Sequence, residues 1–425
     1  MNMAPLFYKS FFALSLTTLL AVSSCDKNNS NQHAGKDLAL NASEMEIVGK
    51  SNQFALHLFH ESLTNLPENE NALVSPLSIQ AALAMTWQGT KGQTHEAIAE
   101  AIGLHGVDTD LINSYFKKLI NDLPALDPKT RLDIANSIWY RQGFDVIPAF
   151  LDVNRSFYQA EVHALDFDDP AAADRINQWV KTNTNNKIEK IVNQLDRDLV
   201  MLLVNAVYFK GSWAQEFEES DTYSDEFRYG AEHAQVTQAR YMKADFTYPY
   251  ISTSEFEAVE LPYGDNKYSM LVIKPRDGVR PAELIQTLSN EAAWTTRLDT
   301  EAMTSRKMIL SLPKFKFSYA NKLNDELTNL GMGIAFTPAA DMTGINAGGQ
   351  LMISEVNHKT FIEVNEEGTE AAAVTSVGVV LTSAGPQPLQ LKLDRPFLFA
   401  IREKSSGLII FMGQMNNPNS ESTKL

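Results

Sequence analysis

"NEEGTEAAAVTSVGVVLTSAGPQP", Asn365 to Pro388, begins with acids and a glycine, passes into small and β-branched residues, and ends in prolines. Its valines favour a strand, yet a buried strand normally carries bulkier side chains. Proline is absent from Asn365 to Gly385 and then appears at Pro386 and Pro388. A flexible linker has no reason to be rich in valine. The composition fits a strand and a loop equally well.

Around this stretch the chain has 425 residues, 44% of them hydrophobic and 21% charged, enough for a large core and typical of soluble proteins. The net charge of −16 repels phosphate backbones and argues against a nucleic-acid partner. The first 24 residues read as an export signal: Lys9 precedes an apolar run from Phe11 to Val22 that is too short to span a bilayer well. Val22-Ser23-Ser24-Cys25 resembles a bacterial lipobox, which implies cleavage before Cys25 and lipidation of its thiol. Cys25 is the only cysteine in the chain, so the mature fold is expected to have no intrachain disulfide. Residues 25–37 are polar and read as a tether, 38–418 as one domain, and 419–425 as a tail.

Helical signals come early. "MEIVGKSNQFALHLFHESL" spaces Ile47, Phe54, Leu58 and Phe59 as one helical face. "SPLSIQAALAMTWQG" offers Ser75 as a cap and Pro76 at the first helical position, with the helix ending before Gly89. Another helix is expected from about Thr94, and one more places Ile176, Trp179 and Val180 on one side. "RLDIANSIWYR", "DLVMLLVNAVYFKG", "YSMLVIKP", "KMILSLPKFKFSYA" and "GLIIFMGQM" read as strands. Helices dominate the first half and strands the second, an α+β pattern.

Catalytic signatures are missing. The chain has no P-loop, no H-E-x-x-H and no G-x-S-x-G. His57 and His60 are three apart on an expected helix, but nothing completes a metal site. "SLPK", Ser311 to Lys314, matches S-x-x-K, yet Pro313 sits within a β-prone stretch where that motif needs a helix start. No cofactor is implied, and the chain does not read as an enzyme.

Four blocks point together at one family. "NALVSPLSIQAALAMTWQGTKGQT", "LLVNAVYFKGSWAQEF", "ISEVNHKTFIEVNEEGTEAAAVT" and "LDRPFLFAIREKSSGLIIFMGQMNNP" resemble, in order, the signature blocks of serpins. The resemblance implies helices on a large mixed or antiparallel central sheet, with two smaller sheets and an exposed reactive-centre loop. The opening stretch then looks like that loop and its hinge, Glu366, Glu367, Gly368, Thr369, Glu370, Ala371, Ala372 and Ala373. In this family the loop is bait for a protease and, once cleaved, enters the sheet as a new strand.

The residues support that use. A central strand needs a ladder partner for every N–H, which excludes proline. Strand side chains alternate between faces. With Glu370 turned to solvent, Thr369, Ala371, Ala373, Thr375, Val377 and Val379 are expected to face the core. Ala372, Val374, Ser376 and Gly378 share the outer face. By family register the bait bond lies about fourteen residues beyond Gly368, between Thr382 and Ser383. The path onward to "DRPF" is longer than usual, so Val380, Leu381 and Ala384 are neighbouring candidates. No Arg, Lys or aromatic residue occurs there, which suits elastase-like or subtilisin-like pockets rather than a trypsin-like one.

The resemblance also assigns Ser75, Ser78, Asn205 and His358 to the polar shutter beneath the opening of the sheet. It assigns Trp213 and Glu366 to the breach, where insertion begins. Without it, Trp213 reads as packing and Glu366 as a surface acid. The expected protein is a monomeric suicide inhibitor of serine, and by the same acyl chemistry cysteine, endopeptidases. The alternative is a non-inhibitory family member acting as a binding module or chaperone. The lipobox implies anchoring in the bacterial cell envelope or secretion.

Overall fold

The computed structural model describes residues 35–420, apart from 65, 68, 291–292 and 370–387. In chain order its first strands are β1 (Ala72–Val74), β2 (Thr130–Arg141), β3 (Glu161–Leu165), β4 (Met201–Ser212) and β5 (Tyr223–Tyr229). Then come β6 (Gln235–Ser252), β7 (Phe256–Tyr263), β8 (Tyr268–Pro275), β9 (Thr304–Pro313) and β10 (Phe315–Lys322). The last are β11 (Asn357–Asn365), β12 (Gly368–Thr369), β13 (Leu389–Lys392), β14 (Phe397–Glu403) and β15 (Ile409–Met415).

Among the described residues, six strands form a mixed sheet in the order β10-β11-β12-β4-β2-β3. Only the edge pair β2–β3 is parallel; the other ladders are antiparallel. The two-residue β12 is antiparallel to both β11 and β4, so those two long strands run in the same direction. Among the described residues, β12 joins them at one end.

β11 alternates as a half-buried strand should, with His358, Thr360, Ile362 and Val364 turned inward. On β2 and β4, Trp139 and Val204 pack with Ile176 and Val180 of the helix Ala172–Asn183. Trp179, expected beside them, is only partly buried.

The helix Pro76–Trp87 is buried on nearly every side and packs against both sheets. Ser75 starts it with an extended backbone and a side chain that accepts the Ser78 N–H at 3.4 Å. The next helix begins at Gly92, two residues before the expected Thr94.

The remaining strands were expected to form two smaller sheets. They make one hydrogen-bonded path, β1-β15-β14-β8-β7-β6-β9-β13, with β5 beside β6. The cause is the 18-residue β6, which pairs with β5 and β9 along most of its length and with β7 at its end.

"KMILSLPKFKFSYA", read as one strand, is two strands in different sheets. Pro313 still lies opposite Tyr241 of β6, and the Lys314 N–H donates to the Arg240 carbonyl at 2.7 Å; from Phe315 the chain pairs with β11 in the other sheet.

Candidate functional site

The site starts where β12 wedges between β4 and β11. Gly368 has φ 148°, and a Cβ there would lie 2.1 Å from the Gly211 carbonyl oxygen. Only glycine lets the chain approach β4 this closely. Asn365 shapes the turn, its Oδ1 accepting the Glu367 and Gly368 N–H groups at 3.1 and 3.2 Å. Thr369 is 3% exposed, and its hydroxyl is 2.6 Å from that of Tyr263. It faces inward, as the alternation required.

Tyr263 stacks on Trp213 at 4.5 Å between ring centroids. Trp213 donates from its indole N–H to the Asn365 carbonyl at 2.9 Å and from its backbone N–H to the Glu367 carbonyl at 2.8 Å. Trp213 therefore both packs and clamps the turn.

Glu366 is not a surface acid. It is 7% exposed, accepts from the Thr222 hydroxyl at 2.7 Å, and pairs with Lys314 at 2.6 Å. Burial pushes its carboxyl up, but the bonds from Lys314 and Thr222 outweigh that and hold it below the usual range. Lys314 is the lysine of "SLPK"; its role is this ion pair. Tyr263, Thr222 and Lys314 were not singled out for this site from the sequence, because their partners are distant in the chain; Asn365 was not singled out either, although its side-chain bonds to Glu367 and Gly368 are local.

The second part of the site is polar and lies between the start of the helix Pro76–Trp87 and the sheet. The Ser75 N–H donates to His358 Nε2 at 3.1 Å, and the Ser75 hydroxyl donates to the Ile410 carbonyl at 2.9 Å. The Ser78 hydroxyl donates to Asn205 Oδ1. Asn205 donates to Asn136 Oδ1 at 2.6 Å, and Asn136 donates to the Tyr158 carbonyl at 2.7 Å. The structure thus joins Ser75, Ser78, Asn205 and His358, and adds Asn136 and Tyr158. Asn136 lies directly opposite Asn205 in the β2–β4 ladder. That pairing was the signal available, since both strands were read correctly.

His358 sits on β11 and Asn205 on β4, so the network spans the two strands that β12 separates. Because Nε2 accepts, the imidazole is neutral, and complete burial pushes its pKa down to about 3. An unfolded histidine titrates near 6.5, so the unfolded chain binds more protons between those values. Stability contributed by neutral His358 is full above about pH 6.5 and is lost as pH falls toward 3. The loss reaches about 4–5 kcal/mol at the acid limit. Denaturant titrations of wild type and His358→Gln across this range are expected to show the wild-type dependence reduced in the variant.

Glu370, Ala371, Ala372, Ala373, the bait candidates from Val380 to Ala384, and Cys25 lie outside the described residues. His57 and His60 lie on the helix Ala42–Thr64, where His60 Nδ1 is 3.2 Å from the Ala282 carbonyl. No group of three or more His, Cys, Asp or Glu that could hold a metal is found among the described residues.

An α+β protein whose central sheet is parted by a two-residue wedge is the class that this geometry defines. The family model described as "Serpin (serine protease inhibitor)" matches residues 49–418, and the chain belongs to the serpin family. It is 34% identical to Iripin-2 of Ixodes ricinus, over 88% of this chain and 94% of that protein. It is 33% identical to the leukocyte elastase inhibitor of Homo sapiens, over 88% of this chain and all of the relative. The crystal structure of the thermophilic serpin Tengpin in its native state superposes with a TM-score of 0.79, at 33% identity, over 90% of this chain and 96% of that one. The family is one of protease inhibitors rather than of catalysts.

Proposed function

We propose that the protein is a suicide-substrate inhibitor of elastase-like or subtilisin-like serine endopeptidases. The observation that carries this is the register of β12. Thr369 lies opposite Gly211 on β4 and Val364 on β11. Continuing both ladders by six residues brings Thr375 opposite Asn205 and His358, the polar network itself. Ala371 and Ala373 arrive on the same inward face, opposite Phe209 with Ile362 and Val207 with Thr360. Small side chains suit a slot between two packed strands.

The protease serine attacks the carbonyl of Thr382, and the peptide from Ser383 onward leaves as an amine, forming an acyl-enzyme. The freed strand enters the sheet before water hydrolyses the ester, and the bound protease is carried along and deformed. About ten residues then gain ladder bonds worth about 1 kcal/mol each, against the 5–15 kcal/mol that holds an ordinary domain folded. The native state is held kinetically. The small aliphatic bait supports the target class, as does the likeness to a relative named for leukocyte elastase. Export and lipid anchoring through Cys25 in a bacterial envelope complete the reading; they rest on the N-terminal residues alone.

The test is to incubate the chain lacking its first 25 residues with neutrophil- and pancreatic-type elastases and with subtilisin. An SDS-stable complex and a released peptide beginning at Ser383 are expected. A peptide starting at a neighbouring residue moves the bait bond within Val380 to Ala384. Clean cleavage by all three enzymes without any complex overturns the inhibitor reading in favour of a non-inhibitory role.

A further inference from the structure

Among the described residues, β13 is an edge strand of four residues, paired with β9 alone and in parallel. It follows directly on the candidate reactive loop, so it anchors that loop's C-terminal end. Such a short ladder needs other ties. Lys392 pairs with Asp225 of β5 at 2.7 Å. Lys274 of β8 donates to the Lys392 carbonyl at 2.5 Å and to Asp394 at 2.8 Å. The Arg228 N–H at the end of β5 donates to the Asp394 carbonyl at 2.9 Å. β13 is therefore clasped by the β5–β6 hairpin and by Lys274.

The turn of that hairpin is strained and carries a histidine. Gly230, Glu232 and His233 all have positive φ, 74°, 51° and 58°. The Nδ1 of His233 and the Nε of Arg395 are buried and have no hydrogen-bond partner among the described residues. The charged groups acting on His233 are Arg395 and Lys274, which oppose its protonation, and Asp277 and Asp394, which favour it. Arg395 is paired with Asp277, and Asp394 with Lys274. Each carboxylate that His233 senses thus already serves a cation.

We propose that the β5–β6 turn is an acid-sensitive clasp on the loop anchor, in which protonation of His233 opens the turn and releases β13 without any cleavage. A cation formed there meets Arg395 and Lys274 in a half-buried site. Burial first, then Arg395, hold His233 below the ordinary histidine value. An opened turn returns the ring toward about 6.5. The open state then binds more protons, so the clasp weakens as pH falls below that value, by no more than about tenfold per pH unit for one proton. Asp225 and Asp394 stay charged in mild acid, because Lys392 and Lys274 hold them down.

Hydrogen exchange of the β13 amides, corrected for intrinsic rates, tests this at pH 7.5 and pH 5.5. Wild-type protection at Leu389 to Lys392 is expected to fall several-fold in acid. In His233→Asn it should stay flat, since asparagine tolerates the left-handed backbone and does not titrate. Arg395→Gln, which removes the opposing cation, should shrink the fall. An undiminished fall in His233→Asn overturns the proposal. Should that variant not fold, an undiminished fall in Arg395→Gln overturns it instead. The consequence, loss of inhibitor in acid, rests on the function proposed above, but the exchange readout needs no protease. Silence toward every protease would therefore sink that function and leave the clasp to be judged separately.

Discussion

Thr369→Arg is expected to turn the inhibitor into a substrate. Thr369 is 3% exposed, its hydroxyl meets Tyr263, and its backbone is wedged between β4 and β11. A guanidinium on that face takes the place of a hydroxyl held by Tyr263, and burying an unpaired charge costs several kcal/mol. The acyl-enzyme has two exits, insertion and hydrolysis, and each 1.4 kcal/mol added to the insertion barrier shifts their ratio about tenfold. The bait residues are untouched, so the first cleavage should proceed as before. Titrating elastase with the variant should then need at least about ten molecules per enzyme inhibited, where wild type needs about one. A variant that still traps its protease one to one would show that this face of the hinge never becomes buried.

The second large effect is on heat stability. Cutting the loop with a protease that is not trapped should raise the melting temperature by more than about 10 °C. The physical basis is the interval between β4 and β11, of which β12 occupies two positions among the described residues. About ten further residues entering that interval add roughly 10 kcal/mol of ladder bonding, and each kcal/mol is worth a few degrees in a domain of moderate size. An unchanged melting temperature after complete cleavage would mean that the strand does not enter. The mechanism proposed here would then fail whatever protease were used.

Those expectations draw on both local sequence and long-range structure, and the two contributed different things. The start of the helix Pro76–Trp87 was legible, because Ser75 and Pro76 act within one turn. The strand β2 was legible from its β-prone residues, β4, β8 and β15 from their apolar runs, and the inward set of Thr369 from the period of two. The resemblance to serpins placed Glu366 and Trp213 at the breach, but not what they touch.

Sequence by itself determined several of the segments that are strands or helices, the apolar face of some of them, and that one proline-free segment could be either loop or strand. These follow from backbone and side-chain preferences that act over a few residues. Only the tertiary structure decided that Glu366 is buried on Lys314 and Thr222, that Asn136 faces Asn205, and that Tyr263 holds Thr369. It also decided that the long β6 fuses two expected sheets into one. Thr222 and Glu366 are separated by 144 residues, and Tyr263 and Thr369 by 106. No spacing rule reaches so far, because a polar group's partner is set by which strands become neighbours, and that is fixed by packing the whole core at once.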